Sequence, residues 1–294
     1  MGNSDVFALA EEISQMKIIG KAFLIIVVAC FCPIVLFAQT RGEAIKVVTL
    51  IEDTKMNEPK DMVAAHGLCL YIERNGQRIL FDTGPSSQFI RNSEKLGVDI
   101  TKVNGVIVSH AHIDHLDGLP FFLWTNKRAS VYLSKNALKN ETFRVVCSKM
   151  DERSFNRIRF VDEFTEIAQN IFILTELDER HPVRDRVDHE IVFVIKNNGK
   201  LVVFSGCSHG EILNIIGTVT RMFPNMYIKA VIGGFHLAGT AKDVVEEIGR
   251  EMGKDPIERI YTCHCTGMEN YRILKRILGP RIEYVSTGSK FYLF

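Results

Sequence analysis

Residues 103–115 read Val103-Asn104-Gly105-Val106-Ile107-Val108-Ser109-His110-Ala111-His112-Ile113-Asp114-His115. The aliphatic half, interrupted only by Asn104 and Gly105, predicts a strand over 103–108 that is buried on both faces. The polar half packs three histidines and a carboxylate into the six positions 110–115, at the carboxyl end of that strand, where open α/β architectures place their sites. In extended backbone His110 and His112 point the same way and share one metal. A turn into helix then carries Asp114 and His115 around to hold a second ion. Imidazole and carboxylate suit zinc, iron, manganese or nickel better than calcium or magnesium. The bland alternative is a solvated or core-satisfied cluster. It is disfavoured because four such groups packed without a metal repel one another once protonated.

Working outward, three more apolar strands end on candidate ligands. The 201–204 run leads into Gly206-Cys207-Ser208-His209-Gly210, 228–232 into Gly233-Gly234-Phe235-His236, and 257–261 into Cys263-His264-Cys265. A lone histidine is more often structural than a ligand, but three at strand ends change that prior. Alternation puts Cys207 and His209 on one side, both facing the metals. It puts Cys263 and Cys265 opposite His264, as core thiols. Ser109, one residue before a ligand, is expected to point away. Of the remaining histidines, His66, His181 and His189, only His66 is expected near the site. Asp185, Asp188 and Glu190 read equally well as pocket lining or as an exposed acidic loop.

The rest of the pattern is strands with interspersed helices. Strands are expected over 45–51, 67–73 and 78–81, the last two joined by an Asn75-Gly76 hairpin turn, with a helix over 87–96 closed by Gly97. A helical turn is expected at 135–139, and 121–178 otherwise carries little readable signal. Strands over 191–196 and 201–204 flank an Asn198-Gly199 turn. A helix over 211–222 follows, with Ile212, Ile215, Ile216 and Val219 on one face. Strand and helix alternate to the end: 228–232, 241–252, 257–261, 271–278 and 282–284. No Pro/Gly/Ser-rich linker divides residues 39–294, which read as one domain of two packed sheets covered by helices.

Composition is that of a globular protein, with 46% hydrophobic and 24% charged residues. Thirty-six basic against 35 acidic residues leave a net charge of +1, with no excess to neutralise a phosphate backbone, so nucleic-acid binding by bulk charge is not expected. The small-molecule class of partner fits better. Residues 22–38 (AFLIIVVACFCPIVLFA) form an uncharged run behind Lys17 and Lys21 and read as an export signal within residues 1–38, with Met16 as a candidate true start. The expected location is therefore periplasmic or secreted. Membrane contact is expected only through that segment, if it stays uncleaved or is lipidated at Cys30. Seven cysteines are too few for a disulfide scaffold; five follow residue 38.

The H-x-H-x-D-H run together with Phe81-Asp82-Thr83-Gly84 resembles the signature of the metallo-β-lactamase-fold hydrolases, from about residue 45 to the end. Ala65-His66-Gly67-Leu68, Gly206-Cys207-Ser208-His209, Gly233-Gly234-Phe235-His236-Leu237 and His264-Cys265-Thr266-Gly267 are similar to the subgroup of dihydropterin-(ribofuranosyl)aminobenzene-phosphate synthase-like proteins. The resemblance implies an α/β, four-layer αββα sandwich. It implies His110 and His112 as ligands of a first metal, Asp114 and His115 of a second, and His209 and His264 as the histidines completing both. Asp82 would orient a ligand histidine. Cys207 stands where the superfamily often has a bridging aspartate, and Glu211 where the subgroup usually has glycine. His236 is left open as ligand, substrate contact or proton donor, and Asp114 and His236 are the candidates for handling protons. The implied cofactor is one or two divalent transition metals, zinc first, with iron or manganese as alternatives.

Three functions follow as expectations. The first is a metal-dependent hydrolase using hydroxide supplied at neutral pH by a bound metal, acting on a phosphoester, ester or amide. The second is a pterin-type transferase, and the third a non-catalytic metal-binding or sensing protein.

Overall fold

The computed structural model describes residues 44–294. The expected leader at residues 1–38 lies outside the described residues. Among those described, no helix is long and apolar enough to cross a membrane.

Two seven-stranded sheets form the centre. The first comprises β1 (Ile45–Ile51), β2 (Cys69–Arg74), β3 (Gln77–Phe81), β4 (Gly105–Ile107), β5 (Ser130–Ser134) and β6 (Ile158–Val161). The second begins with β7 (Thr165–Ala168), β8 (Ile171–Leu174), β9 (Val192–Asn197) and β10 (Lys200–Ser205), and continues with β11 (Tyr227–Gly233), β12 (Arg259–Thr262) and β13 (Ile282–Tyr284). The last strand, β14 (Lys290–Leu293), returns to pair with β1 at the edge of the first sheet. The orders are β14-β1-β2-β3-β4-β5-β6 and β13-β12-β11-β10-β9-β8-β7. Each sheet is antiparallel on one side and parallel on the other: β3 to β6 run parallel in the first, and β10 to β13 in the second.

Between the sheets lies an apolar layer that includes Val47, Ile72, Phe81, Ile107, Phe193, Phe204 and Ile232. Phe204 stacks on Phe193 with ring centroids 4.9 Å apart and lies 6.0 Å from Phe81 across the sheets. Two further clusters join the outer faces to helices, completing the αββα arrangement expected from the sequence. The helix Ile212–Met222 buries Ile212, Ile215, Ile216 and Val219, the face anticipated from its 3.6-residue period.

Two differences matter for the site. The strand expected over 103–108 shortens to Gly105–Ile107, because a 3₁₀ turn capped by Asp99 occupies Ile100–Lys102 and residue pairing with β5 stops at Ile107. The illegible 121–178 region holds four strands, β5 to β8, and the helices Leu119–Thr125, Glu141–Cys147 and Glu152–Phe155.

Candidate metal centre

The carboxyl ends of β1, β3 and β4 in the first sheet, and of β10, β11 and β12 in the second, meet at one rim. There the chain leaves each strand onto Asp53, Asp82, His110, Cys207, His236 and His264 in turn. They surround a cavity of about 400 Å³ lined by Asp53, His66, His112, Asp114, Asp185, Cys207, His209, His236, His264 and Cys265, among others. Close approach of the loops depends on missing side chains. Gly67 holds φ at +144°, and a Cβ there would run into the carbonyl oxygen of Asp114. A Cβ on Gly206 would meet Ser109 Oγ.

The buried imidazoles of His110, His115, His209 and His264 each meet an acceptor at Nδ1, which leaves Nε2 aimed inward. Asp82, fully buried, accepts the Ser109 N–H at 2.6 Å, the Ser109 O–H at 2.8 Å and His115 Nδ1–H at 2.7 Å. With its proton given to Asp82, Ser109 Oγ accepts from His110 Nδ1 at 2.8 Å. Asp53 accepts His264 Nδ1–H at 2.7 Å, and the carbonyl and carboxylate of Asp185 both lie 3.2 Å from His209 Nδ1. The freed Nε2 atoms of His209 and His264 are buried with no hydrogen-bond partner. That of His264 sits 3.1 Å from Asp114 Oδ2, out of hydrogen-bonding alignment.

Two groups of ligands emerge. His110 and His209 have rings 4.8 Å apart, and His112 lies 4.5 Å from the first and 4.9 Å from the second. His115 and His264 are 5.1 Å apart, with Asp114 Oδ2 3.4 Å from His115 Nε2. Cys207 Sγ lies within 4.8 Å of ligand atoms of both groups, and 3.2 Å from His115 Nε2.

The family model of the metallo-beta-lactamase superfamily matches residues 63–264. The chain belongs to that superfamily. It is 29% identical to the 7,8-dihydropterin-6-methyl-4-(beta-D-ribofuranosyl)-aminobenzene-5'-phosphate synthase of Methanocaldococcus jannaschii, over 83% of this chain and 95% of that enzyme. Among solved structures it is similar to Tm1679, a metal-dependent hydrolase of the beta-lactamase superfamily, with a TM-score of 0.70, 29% identity and coverage of 84% of this chain and 98% of the other. Unliganded yeast PDE1 shares the fold alone, with a TM-score of 0.59 at 9% identity, over 86% of this chain and 100% of that one.

Superfamily metals fit this donor set. Two buried imidazole nitrogens lacking partners, a thiol between two histidine groups and one carboxylate form an N/S/O set suited to zinc. All six histidine and aspartate positions expected as ligands converge, with Cys207 between them and Asp82 behind. His66 reaches the rim, largely exposed, with Nδ1 3.0 Å from Asp53.

Several expectations are corrected. Ser109 does not point away; the left-handed turn at Asp82 (φ +62°) brings the carboxylate under it. Cys263 is buried in the core as expected, but Cys265 lines the cavity, because His264 at φ +48° and the following 3₁₀ turn break the strand alternation. His189 is near the centre after all: its Nδ1 accepts the Ala111 N–H at 3.1 Å, fixing the ligand loop from behind. Asp53 was not singled out from the sequence, since a lone carboxylate in a polar loop carries no pattern. Asp185 reads ambiguously in the sequence for the same reason.

The two groups differ electrostatically. Burial, reinforced by the neighbouring imidazoles, holds His110 well below the ordinary histidine range and His209 down to about 4, so both stand neutral and ready to ligate. At His115 burial is outweighed by Asp82 and Asp114, which raise it to about 9. At His264 burial is outweighed by Asp114 and Asp53, which raise it to about 10. Metal entering the His115–His264 group competes with the protons that these carboxylates hold on the rings, while His110 and His209 carry none near neutrality. Calorimetric zinc titration in buffers of different ionisation enthalpy is expected to show one proton-releasing ion, whose affinity rises from pH 6 toward pH 9. The other ion is expected to be nearly pH-independent over that span. Two ions with the same pH slope would contradict this assignment.

Proposed function

We propose that the protein is a metal-dependent hydrolase of small phosphoesters. The observation that carries it is the pair of histidine groups, four of their five rings backed at Nδ1, opening on a cavity of about 400 Å³. His110, His112 and His209 would hold one ion, and Asp114, His115 and His264 a second, with Cys207 between them. When bound, such ions acidify water toward neutral pH and polarise a phosphoryl or carbonyl oxygen.

The chain's own residues do the rest. Gly267, at the start of the helix Met268–Leu278, lines the cavity, so the positive end of that helix favours an anionic substrate group. His236 lines the cavity with its Nδ1 buried and its Nε2 3.1 Å from Asp185 Oδ2, and Nε2 is the atom that would give a proton to a leaving oxygen. Contact with Cys265 Sγ, against the opposing effect of burial, raises its affinity for that proton. His66, exposed and tied to Asp53, is placed to touch substrate at the mouth. An exported location, as residues 22–38 suggest, fits a scavenging hydrolase.

A second reading has its own support. The relative that is 29% identical over 95% of its length is named as a pterin-type synthase; were this chain to act so, its own candidate ligands would bind and release a pyrophosphate leaving group. One assay separates the two. Zinc-loaded protein is given phosphodiester, phosphomonoester and lactone substrates, and in parallel a dihydropterin pyrophosphate with an aminobenzene ribotide. Phosphoester turnover that vanishes with a chelator and returns with zinc is the expected result. Coupling without phosphoester turnover would favour the synthase, and phosphoester turnover that survives full metal removal would overturn the hydrolase reading.

A further inference from the structure

The irregular 175–191 connection between β8 and β9 crosses the metal centre, and it is fastened along one face of the helix Ile212–Met222. Four side chains at positions 211, 214, 218 and 221, spaced to share one helical face, do the fastening. Arg221 grips the Asp178 carboxylate at 2.7 and 2.8 Å, and Thr218 Oγ1 accepts the Asp178 N–H at 2.8 Å. Asn214, buried, accepts from His181 N and donates to His181 O, both at 2.8 Å. Glu211 takes the Arg184 guanidinium as a fork, Nε to Oε1 and Nη2 to Oε2, each at 2.8 Å, and also accepts the Arg184 N–H at 3.0 Å. Arg184 Nη1 donates to Thr240 at 2.9 Å.

The next residue on this strap is Asp185, whose carboxylate lies 3.2 Å from His209 Nδ1 and 3.1 Å from His236 Nε2. Glu211 adopts φ +69°, a conformation L side chains rarely take, and its carboxylate is almost buried under the arginine. Asp185 itself is exposed and, among the described residues, has no fastening of its own beyond those two imidazoles, so its position depends on its neighbour.

We propose that Glu211 and Arg184 are positioning residues of the metal centre: their fork holds Asp185 against His209 Nδ1, which keeps that ring's Nε2 turned toward the ion. Asp185 is to His209 what Asp82 is to His115 and Asp53 to His264, except that the acceptor at Nδ1 is its main-chain carbonyl, with the carboxylate alongside, and that it is delivered by a strap and not by a strand end. The inference rests on the metal centre proposed above, and the test separates the two.

Glu211→Gly removes the carboxylate at a φ glycine tolerates, and Arg184→Lys keeps the charge but loses the fork. Two quantities are read: zinc affinity of each ion by competition with a chromophoric chelator, and trypsin cleavage after residues 180, 184 and 186 in metal-free protein. In Glu211→Gly one ion is expected to bind about 10–100-fold more weakly while the other stays within about threefold, as for other groups that orient a ligand. Strap cleavage is expected to quicken at least about tenfold. Arg184→Lys is expected to move both in the same direction, by less. Folded Glu211→Gly protein with wild-type zinc affinities and wild-type cleavage overturns the proposal. If circular dichroism shows that variant misfolded, Arg184→Lys decides alone by the same criteria. Wild-type protein that binds no zinc overturns the metal centre itself, and this inference with it.

Discussion

His264→Asn is expected to strip one ion from the centre and to lower phosphoester turnover on the order of 10³-fold, the equivalent of about 4 kcal/mol of lost transition-state stabilisation. Asparagine is chosen because position 264 sits at φ +48°, which asparagine tolerates and alanine does not, so the backbone turn survives. The N–H of residue 264, which donates to Glu52 Oε1 at 2.7 Å, is also kept. What goes is the ring whose Nε2 is buried without a partner. Elemental analysis beside steady-state kinetics reads the outcome. A full metal complement with wild-type turnover would remove His264 from the ligand set.

Asp82→Asn carries the second large effect, and it acts on folding as well as on metal. The carboxylate accepts three hydrogen bonds in a fully buried site, two of them from Ser109 and one from His115. An amide keeps the shape, and asparagine accepts the left-handed φ of +62°. Its NH₂, however, faces a hydroxyl and a ring nitrogen that both need an acceptor. His115 loses the group that raises its proton affinity and fixes its tautomer, and a proton on Nε2 then blocks ligation. Breaking a buried charged network of this kind costs about 3–5 kcal/mol. Urea unfolding is expected to show that loss, and affinity for the ion held by His115 is expected to fall about 10–100-fold. Unchanged stability with unchanged metal binding would mean that the three hydrogen bonds do not act as described.

The candidate ligands are legible in the sequence for a physical reason. Histidine and cysteine are scarce, and at the carboxyl ends of apolar strands they have little structural work to do, so His110, His112, His115, His209 and His264 stood out. The groups behind them did not. Asp53 and Asp185 lie in polar loops, where a carboxylate is indistinguishable from a solvated one until the chain folds over it. Strand alternation puts Ser109 and Cys265 on the wrong side because it does not hold past the strand end, in turns where Asp82 and His264 adopt positive φ. Strands β6 and β7 escaped because four-residue strands with exposed Arg159 and Glu166 lack a readable period. Their neighbours β5 and β8 went unread with them.

The ring of ligands is drawn from loops of both sheets: His110, His112, Asp114 and His115 from one, Cys207, His209 and His264 from the other. An ion seated there would work as a rivet through the seam, and the free energy of its binding would add directly to the cohesion of the two layers. Chelation would thus loosen the whole sandwich at its rim. Neither half of the chain, made alone, would own a complete set of donors.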